Sequence, residues 1–205
     1  MSDRILDLPI SPEVARSLRL GDMVYLRGEA VVTVGYPTHL RLAACIDKGE
    51  PPPVPFSGKT FLHLGIMSEE HQGAVKALYV NPTTSTRFNA FMPKIISHLG
   101  LTVVAGKGGL DETNVAIMRE RGCVYLSMVG GGAPLLTDGI TEVIDVGWTD
   151  LIAQFRLTRI RLDMFGPLTV AIDAHGNSRY AELAENARAK LPDIMEMLAQ
   201  RRARS

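Results

Sequence analysis

Residues 101–128 read Leu-Thr-Val-Val-Ala-Gly-Lys-Gly-Gly-Leu-Asp-Glu-Thr-Asn-Val-Ala-Ile-Met-Arg-Glu-Arg-Gly-Cys-Val-Tyr-Leu-Ser-Met. Leu101 to Ala105 is a short apolar run, and Gly106-Lys107-Gly108-Gly109 turns the chain after it. Asp111 stands ahead of a segment carrying Val115, Ile117 and Met118, and Gly122 follows it: a side-chain cap, a helix and a glycine stop. Cys123 to Met128 returns to a short apolar run. Strand, glycine turn, capped helix and strand form the repeating unit of an α/β domain.

The alternation extends outward in both directions. Upstream, Phe61–Met67 and Ala77–Val80 predict strands, and Phe88, Phe91, Met92, Ile95, Ile96 and Leu99 fall at helical spacing, with Pro93 expected to kink or split that helix. Asp22 to Val34, interrupted by Gly28-Glu29, predicts a β-hairpin. Pro37 and Thr38 open a further helix through Leu40, Ala43 and Ala44, with Thr38 as its N-cap. Glu50 to Pro55 holds four prolines in six residues and predicts an extended connector. Downstream of Gly130-Gly131-Gly132, a small helix leads to strands near Glu142–Val146, Phe155–Leu162 and Leu168–Ile172, then to a turn at His175-Gly176-Asn177. Tyr180 to Arg202 is helical by composition, and Pro192 is expected to divide it. The organisation predicted is one domain over 1–180 with a C-terminal helical extension over 181–205.

The chain has 205 residues, 46% hydrophobic and 21% charged, enough for one sizeable core. Twenty-two basic side chains balance 22 acidic ones, so the electrostatic footprint of a nucleic-acid or membrane-surface binder is lacking. No apolar run approaches the roughly 18 residues of a membrane span. Met1 to Ile10 carries Asp3, Arg4 and Asp7 without an apolar core, unlike a signal peptide, so a cytoplasmic location is expected. Two cysteines, Cys45 and Cys123, cannot supply a disulfide framework, a four-thiolate zinc site or a full iron–sulfur ligand set. No metal site is expected on this chain.

The densest polar feature is Asn81-Pro82-Thr83-Thr84-Ser85-Thr86-Arg87, between a strand and a helix. Its four consecutive hydroxyls, the free N–H groups of a helical first turn and Arg87 together suit an anion. The bland alternative is a helix cap with Arg87 pointing to water. Gly106-Lys107-Gly108-Gly109 permits close backbone approach and leaves a lysine free to reach a carboxylate or phosphate; alone, it reads as a tight turn sooner than as a binding loop. Glycine turns at the carboxyl ends of strands line the ligand crevice of an open α/β sheet, so these loops and Gly130-Gly131-Gly132 point to one shared anionic ligand. His63, in an apolar run, reads as a hydrogen-bonded core residue and His71 and His98 as surface. His39 and His175, both beside turns, are candidates for proton transfer.

These motifs, in this order, resemble the β subunit or C-terminal domain of the iron–sulfur fumarase and L-tartrate dehydratase hydro-lyases. The similarity runs from about Leu20 to Tyr180. It rests on Gly21-Asp22, Thr33 to Leu42 with His39 and Arg41, Pro82 to Arg87, Gly106-Lys107-Gly108, Tyr125-Leu126 with Gly130-Gly131, Phe165-Gly166-Pro167, and Ile172 to Ser178. The resemblance implies a swivelling β/β/α domain that closes over a [4Fe–4S] cluster held by a larger, cysteine-containing α subunit, in a heterodimer or heterotetramer. It implies a small carboxylic acid substrate, bound by Ser85, Arg87, Lys107, Gly106 and Gly108, with Thr83, Thr84 and His39 in catalytic roles. Gly35-Tyr36 stands where the family usually has Arg-Asp, Asn81 replaces a glycine, Phe88-Asn89 replaces Met-Asp, and Trp148-Thr149 stands where an acidic residue is expected. These departures cluster in motifs that face substrate and imply altered specificity. A non-catalytic carboxylate-binding or assembly subunit that keeps the fold is the alternative.

Overall fold

The computed structural model describes residues 4–71, 74–131 and 133–202. In chain order the elements are β1 (Arg4–Asp7), α1 (Pro12–Ser17), β2 (Met23–Val32), α2 (Tyr36–Lys48), β3 (Thr60–Leu62), β4 (Leu64–His71) and β5 (Ala74–Pro82). A 3-10 turn (Ser85–Phe88) precedes α3 (Met92–Leu99), β6 (Val103–Gly106), α4 (Glu112–Arg121), β7 (Val124–Ser127), α5 (Ala133–Asp138) and β8 (Ile140–Gly147). A second 3-10 turn (Ala153–Phe155), β9 (Leu157–Ile172) and α6 (Arg179–Arg202) complete the chain. The predicted strand, turn, capped helix and strand are thus β6, its glycine loop, α4 and β7. Asp111 accepts a hydrogen bond from the Asn114 amide at 3.1 Å and Gly122 closes α4 in the left-handed conformation at φ 68°.

The strands of the main sheet run β1-β2-β3-β6-β7-β9-β8, and β2 also pairs with β9. The pairings from β2 through β3, β6, β7 and β9 back to β2 therefore close a circuit. β3, β6 and β7 are parallel neighbours, and β4 and β5 form a separate two-stranded ribbon. The period-two pattern sends alternate residues to two cores. Ala30, Val32, Leu62, Val103, Ala105, Val124, Leu126, Leu168 and Val170 belong to one cluster. Their neighbours Val31, Phe61, Val104, Tyr125 and Ala171 belong to the other, with Leu42 of α2, Ile95 and Ile96 of α3, and Met118 of α4. An α/β domain with a C-terminal helix is the architecture that results.

The structure corrects several local expectations. Asp22–Val34 is not a hairpin: β2 runs through Gly28, which has φ +118° and where a Cβ would lie 2.9 Å from the Leu8 carbonyl. That glycine permits a close approach and a register shift rather than a turn. Thr38 is not the N-cap of α2, which starts at Tyr36 behind Gly35; the Thr38 hydroxyl donates instead to the Phe155 carbonyl. Phe61–Met67 is divided at His63 into β3 and β4, which join different sheets. The two strands expected over 155–172 are one, β9, with a register shift against β2 around Gly166-Pro167. Pro93 starts α3 rather than kinking it, because its missing N–H falls in the first turn, and Pro192 leaves α6 undivided.

Asp111 carries a checkable share of the stability. Its carboxylate accepts both from the Asn114 amide and from Asn114 Nδ2, the latter at 2.7 Å. Asp111→Ala is expected to cost about 1 kcal/mol, read as a lowered denaturation midpoint at unchanged m-value.

Candidate active site

The parallel strands β3, β6 and β7 end together, and the segment 83–87 crosses their carboxyl ends. It does so as an added ladder: the Thr83 amide donates to the His63 carbonyl at 2.9 Å, the Lys107 amide to Thr83 O at 3.0 Å, and the Ser85 amide to Lys107 O at 2.8 Å. Thr84 and Lys107 form a parallel bridge. The Met128 amide donates to Gly106 O at 2.8 Å and holds the third loop alongside. The topology therefore brings together the hydroxyl loop, the Gly-Lys-Gly loop and the residues leading to Gly130, the crevice position of an α/β sheet.

Each predicted residue has a defined place there. The Arg87 guanidinium donates to Thr83 Oγ1, its Nε donates to the Thr84 carbonyl at 3.4 Å, and its Cζ lies 5.8 Å from the centre of the Phe88 ring. Lys107 lies across Gly130, where a Cβ would sit 3.7 Å from the ammonium nitrogen. Gly108 has φ +81° and faces the Thr84 methyl. Gly106 has no room for a side chain, since a Cβ would fall 2.2 Å from Ser85 Oγ. Among the described residues, neither Arg87 nor Lys107 has an acidic partner within ion-pair distance. Two cations sharing a hydroxyl-lined edge without a counter-charge can bind an anion by charge-assisted hydrogen bonds. Beside them a cleft of about 280 Å³ is lined by Val34, Gly65, Met67, Tyr79, Asn81, Pro82, Thr83 and Gln154.

Ser85 and His39 lie behind this edge rather than on it. Ser85 is fully buried, with its hydroxyl 2.8 Å from His63 Nδ1 and 2.8 Å from the Tyr125 hydroxyl. His39 is also fully buried, with Nδ1 2.7 Å from the Gly35 carbonyl and its ring stacked on Phe88 at 3.8 Å. His63 is the hydrogen-bonded core residue that its apolar run predicts, and Tyr125 is the support to which the sequence reading assigns no role. Tyr125 had a visible signal, as the one polar-tipped aromatic in the apolar run 123–128. His98 is exposed, and the side chain of His71 lies outside the described residues, as does Gly132. His175 is apart from the site contacts: its Nε2 meets the Arg16 carbonyl at 2.8 Å and fixes the 173–177 turn to α1.

Burial sets the charge state of the two inner histidines. Desolvation pushes His39 down to about 4, against the smaller opposing effect of its bond to Gly35. It holds His63 well below the usual imidazole range, aided by His39 and Arg87 nearby. Neither Nε2 meets an acceptor. Both imidazoles are neutral at pH 7, while in the unfolded chain they titrate near 6.5. The unfolded state thus binds more protons below pH 6.5, and stability is lost as pH falls from 6.5 towards 4. His39 alone is expected to remove about 3 kcal/mol across that window. Denaturant unfolding at pH 7, 5.5 and 4.5 measures it, and His39→Phe should flatten the loss.

Comparison with known proteins places the chain in context. The family model for the fumarase C-terminus matches residues 3–183. The chain is 34% identical over 184 residues to the "L(+)-tartrate dehydratase subunit beta" of Escherichia coli (strain K12), covering 87% of each chain. It is 29% identical over 181 residues to a Methanocaldococcus jannaschii protein named "Putative L(+)-tartrate dehydratase subunit beta", covering 88% of this chain and 92% of that one. It is 29% identical over 192 residues to a Geobacillus stearothermophilus protein named "Putative fumarate hydratase class I", covering 93% of this chain and 36% of that one. No helix among the described residues is long and apolar enough to cross a membrane.

Proposed function

The chain belongs to the fumarase C-terminus family, and on that premise we propose that it is the β-type subunit of a hydro-lyase. The reaction is the reversible hydration or dehydration of a malate/fumarate- or tartrate-like hydroxy acid, carried out with an iron–sulfur α subunit in a cytoplasmic heterodimer or heterotetramer. The observation that carries this reading is the meeting of two cation-bearing loops: Arg87 donates to the Thr83 hydroxyl, Lys107 is joined to Thr84 by a backbone bridge, and among the described residues neither cation has an acidic partner.

In this reading Arg87 and Lys107 bind substrate carboxylate, and Gly106 and Gly108 let the two loops close on it. Thr83 borders the cleft, and its Oγ1 accepts a hydrogen bond from the Arg87 guanidinium. A cation at that oxygen favours its deprotonated form, which suits Thr83 to exchange a proton with the substrate. Thr84 orients the substrate from the bridged strand end. Ser85 acts through its backbone and its buried hydroxyl, and His39 supports the loop through Phe88.

This chain does not fit an iron–sulfur cluster. Among the described residues no three His, Cys, Asp or Glu side chains converge on one point. Cys123 is wholly buried, with burial pushing its thiol far up, and Cys45 sits singly on α2. We therefore assign the [4Fe–4S] cluster to the α subunit, the partner that the "subunit beta" names of the relatives imply.

Co-expression with the α subunit and anaerobic reconstitution should give turnover of L-malate or tartrate, followed as formation of the unsaturated or keto product. A complex that binds carboxylic acids and converts no member of a broad panel would favour the non-catalytic reading. Gly35-Tyr36 gives that second reading its support. A Cβ at Gly35 would lie 2.3 Å from Thr38 Oγ1 and 2.9 Å from Phe155 Cβ, so this backbone has no room for an arginine there. Tyr36 is half-exposed, with its ring edge against Phe91.

A further inference from the structure

The cleft that Thr83 borders is walled by one face of the β4–β5 ribbon. Gly65 stands opposite Asn81 and Met67 opposite Tyr79 in the ribbon's register, and all four line the cleft. Directly opposed residues share a face, and alternate residues along a strand return to it. The pair between them, Ile66 and Val80, is buried in the core on the other side. The backbone of Gly65 is not left-handed, so what this glycine provides is space: a Cβ there would lie 3.2 Å from Val34 Cγ1. Val34 and Gln154 close the cleft from outside the ribbon, fastened to each other by the Val34 amide, which donates to the Gln154 carbonyl at 3.2 Å. No residue that lines the cleft is charged. Met67 is 53% exposed and Tyr79 44%, while Asn81 and Gln154 offer hydrogen bonds without charge. Arg156, close to Gln154 in the chain, is engaged elsewhere, donating to the Leu151 and Thr149 carbonyls. Further out along the ribbon, Glu69 and Lys76 stand opposite each other and set both signs of charge side by side.

We propose that this cleft receives an uncharged, mainly apolar substituent of the substrate, and that Met67 and Tyr79 select it. The proposal rests on the hydro-lyase reading of the Thr83–Arg87 edge and narrows its substrate: a hydroxy acid, or its unsaturated counterpart, that carries an alkyl or aryl group beyond the carboxylate held by Arg87 and Lys107. Position supports this class. Thr83 belongs both to the cleft and to the anion edge, so a molecule anchored there by its carboxylate has its next atoms at the mouth of the cleft. Charge opposes a further carboxylate, because an anion would lose water beside Val34, Met67 and Tyr79 with no cation among the lining residues. Size sets the limit. At about 280 Å³ the cleft is below the roughly 300–1,000 Å³ of pockets that enclose a drug-sized ligand, so it takes one ring or a short chain and not a nucleotide-sized group. A thioether and a phenol ring standing opposite each other suit such a group in shape and polarity. Its arrival also removes from water two large apolar side chains that the chain leaves half-exposed.

Three acids that share a succinate core and have no hydroxyl to lose test the proposal by calorimetry on the reconstituted complex: succinate itself, benzylsuccinate, and tricarballylate, which carries a carboxymethyl group in place of the benzyl. Benzylsuccinate should bind about tenfold or more tighter than succinate, and tricarballylate should gain nothing. Tyr79→Ala and Met67→Ala should each weaken benzylsuccinate by about threefold to tenfold and leave succinate unchanged. Tyr79→Arg, which places a cation in the cleft, should reverse the order of benzylsuccinate and tricarballylate. Arg87→Ala should weaken all three, which places them in one site. Equal affinity for benzylsuccinate and succinate, an advantage that survives both alanine substitutions, or no binding of any of the three acids would overturn the proposal. So would release of the α subunit by those substitutions, since that makes the cleft a subunit contact. The hydro-lyase reading fails separately, if the complex discriminates among the three acids as expected and dehydrates no member of a broad panel. The proposal fails alone if L-malate is turned over and benzylsuccinate has no advantage.

Discussion

Lys107→Ala in the reconstituted enzyme is expected to lower kcat/KM by about 10–100-fold, and Arg87→Ala by as much or more, with near-native circular dichroism in both. A charge-assisted hydrogen bond to a carboxylate contributes about 1.5–3 kcal/mol, and each 1.36 kcal/mol is tenfold in rate. Arg87 has the larger effect because its guanidinium also donates to Thr83 Oγ1 and the Thr84 carbonyl. Removing it loosens the group assigned to proton exchange as well as the carboxylate. The kinetic split should show this: Lys107→Ala should mainly raise KM, whereas Arg87→Ala should also lower kcat. Arg87→Lys should recover little, because a single ammonium cannot reproduce the forked donation. The two residues are joined through the Thr84–Lys107 bridge, so the double variant should fall short of the product of the single losses. Full activity in both single variants would remove these residues from the site.

The parts of this molecule that are legible in the sequence are those where local chemistry and tertiary demand agree. Asp111 and Gly122 mark both ends of α4 because capping is a local event. The loops at Thr83–Arg87 and Gly106–Gly108 stand out because polar and glycine residues interrupt apolar runs at strand ends. Gly28 misleads for the opposite reason. Its glycine is required by Leu8, twenty residues earlier, whose carbonyl it must approach, and nothing adjacent in sequence records that contact. Pro192 misleads because α6 continues through it in a stretch, 181–202, that is exposed on every side. Ser85 was readable as a hydroxyl near an anion, but its orientation depends on His63 and Tyr125, 22 and 40 residues away. The sequence identifies which loops meet; long-range packing decides which of their side chains face the cleft.

Gly106→Ala should be the most damaging small substitution in the site, although it adds one methyl group and removes no charged or hydroxyl side chain. Gly106 ends β6, fully enclosed between neighbouring strands and the crossing loop. A Cβ there would lie 2.2 Å from Ser85 Oγ, 3.1 Å from His63 Cβ and 3.2 Å from the Thr83 carbonyl. Ser85 cannot simply rotate away, because its hydroxyl is held by His63 on one side and Tyr125 on the other, all three being buried. Releasing that hydroxyl would leave buried polar groups unpaired, at about 1–3 kcal/mol, in addition to about 1–3 kcal/mol for overpacking. The easier relief is for the Thr83–Arg87 segment to lift from the sheet edge, breaking its backbone bonds to Lys107. Thr83 and Arg87 would then leave Lys107 together. The expected outcome is a stable, folded chain with a melting temperature several degrees lower and a kcat/KM reduced by about 10²–10³-fold. Adding Ser85→Gly should restore part of the melting temperature by removing the clashing oxygen, while activity should recover less, because the His63 and Tyr125 anchor is then lost. If Gly106→Ala leaves turnover intact, the crossing loop does not need its observed contact with β6, and the site must be built on a different conformation of residues 83–87.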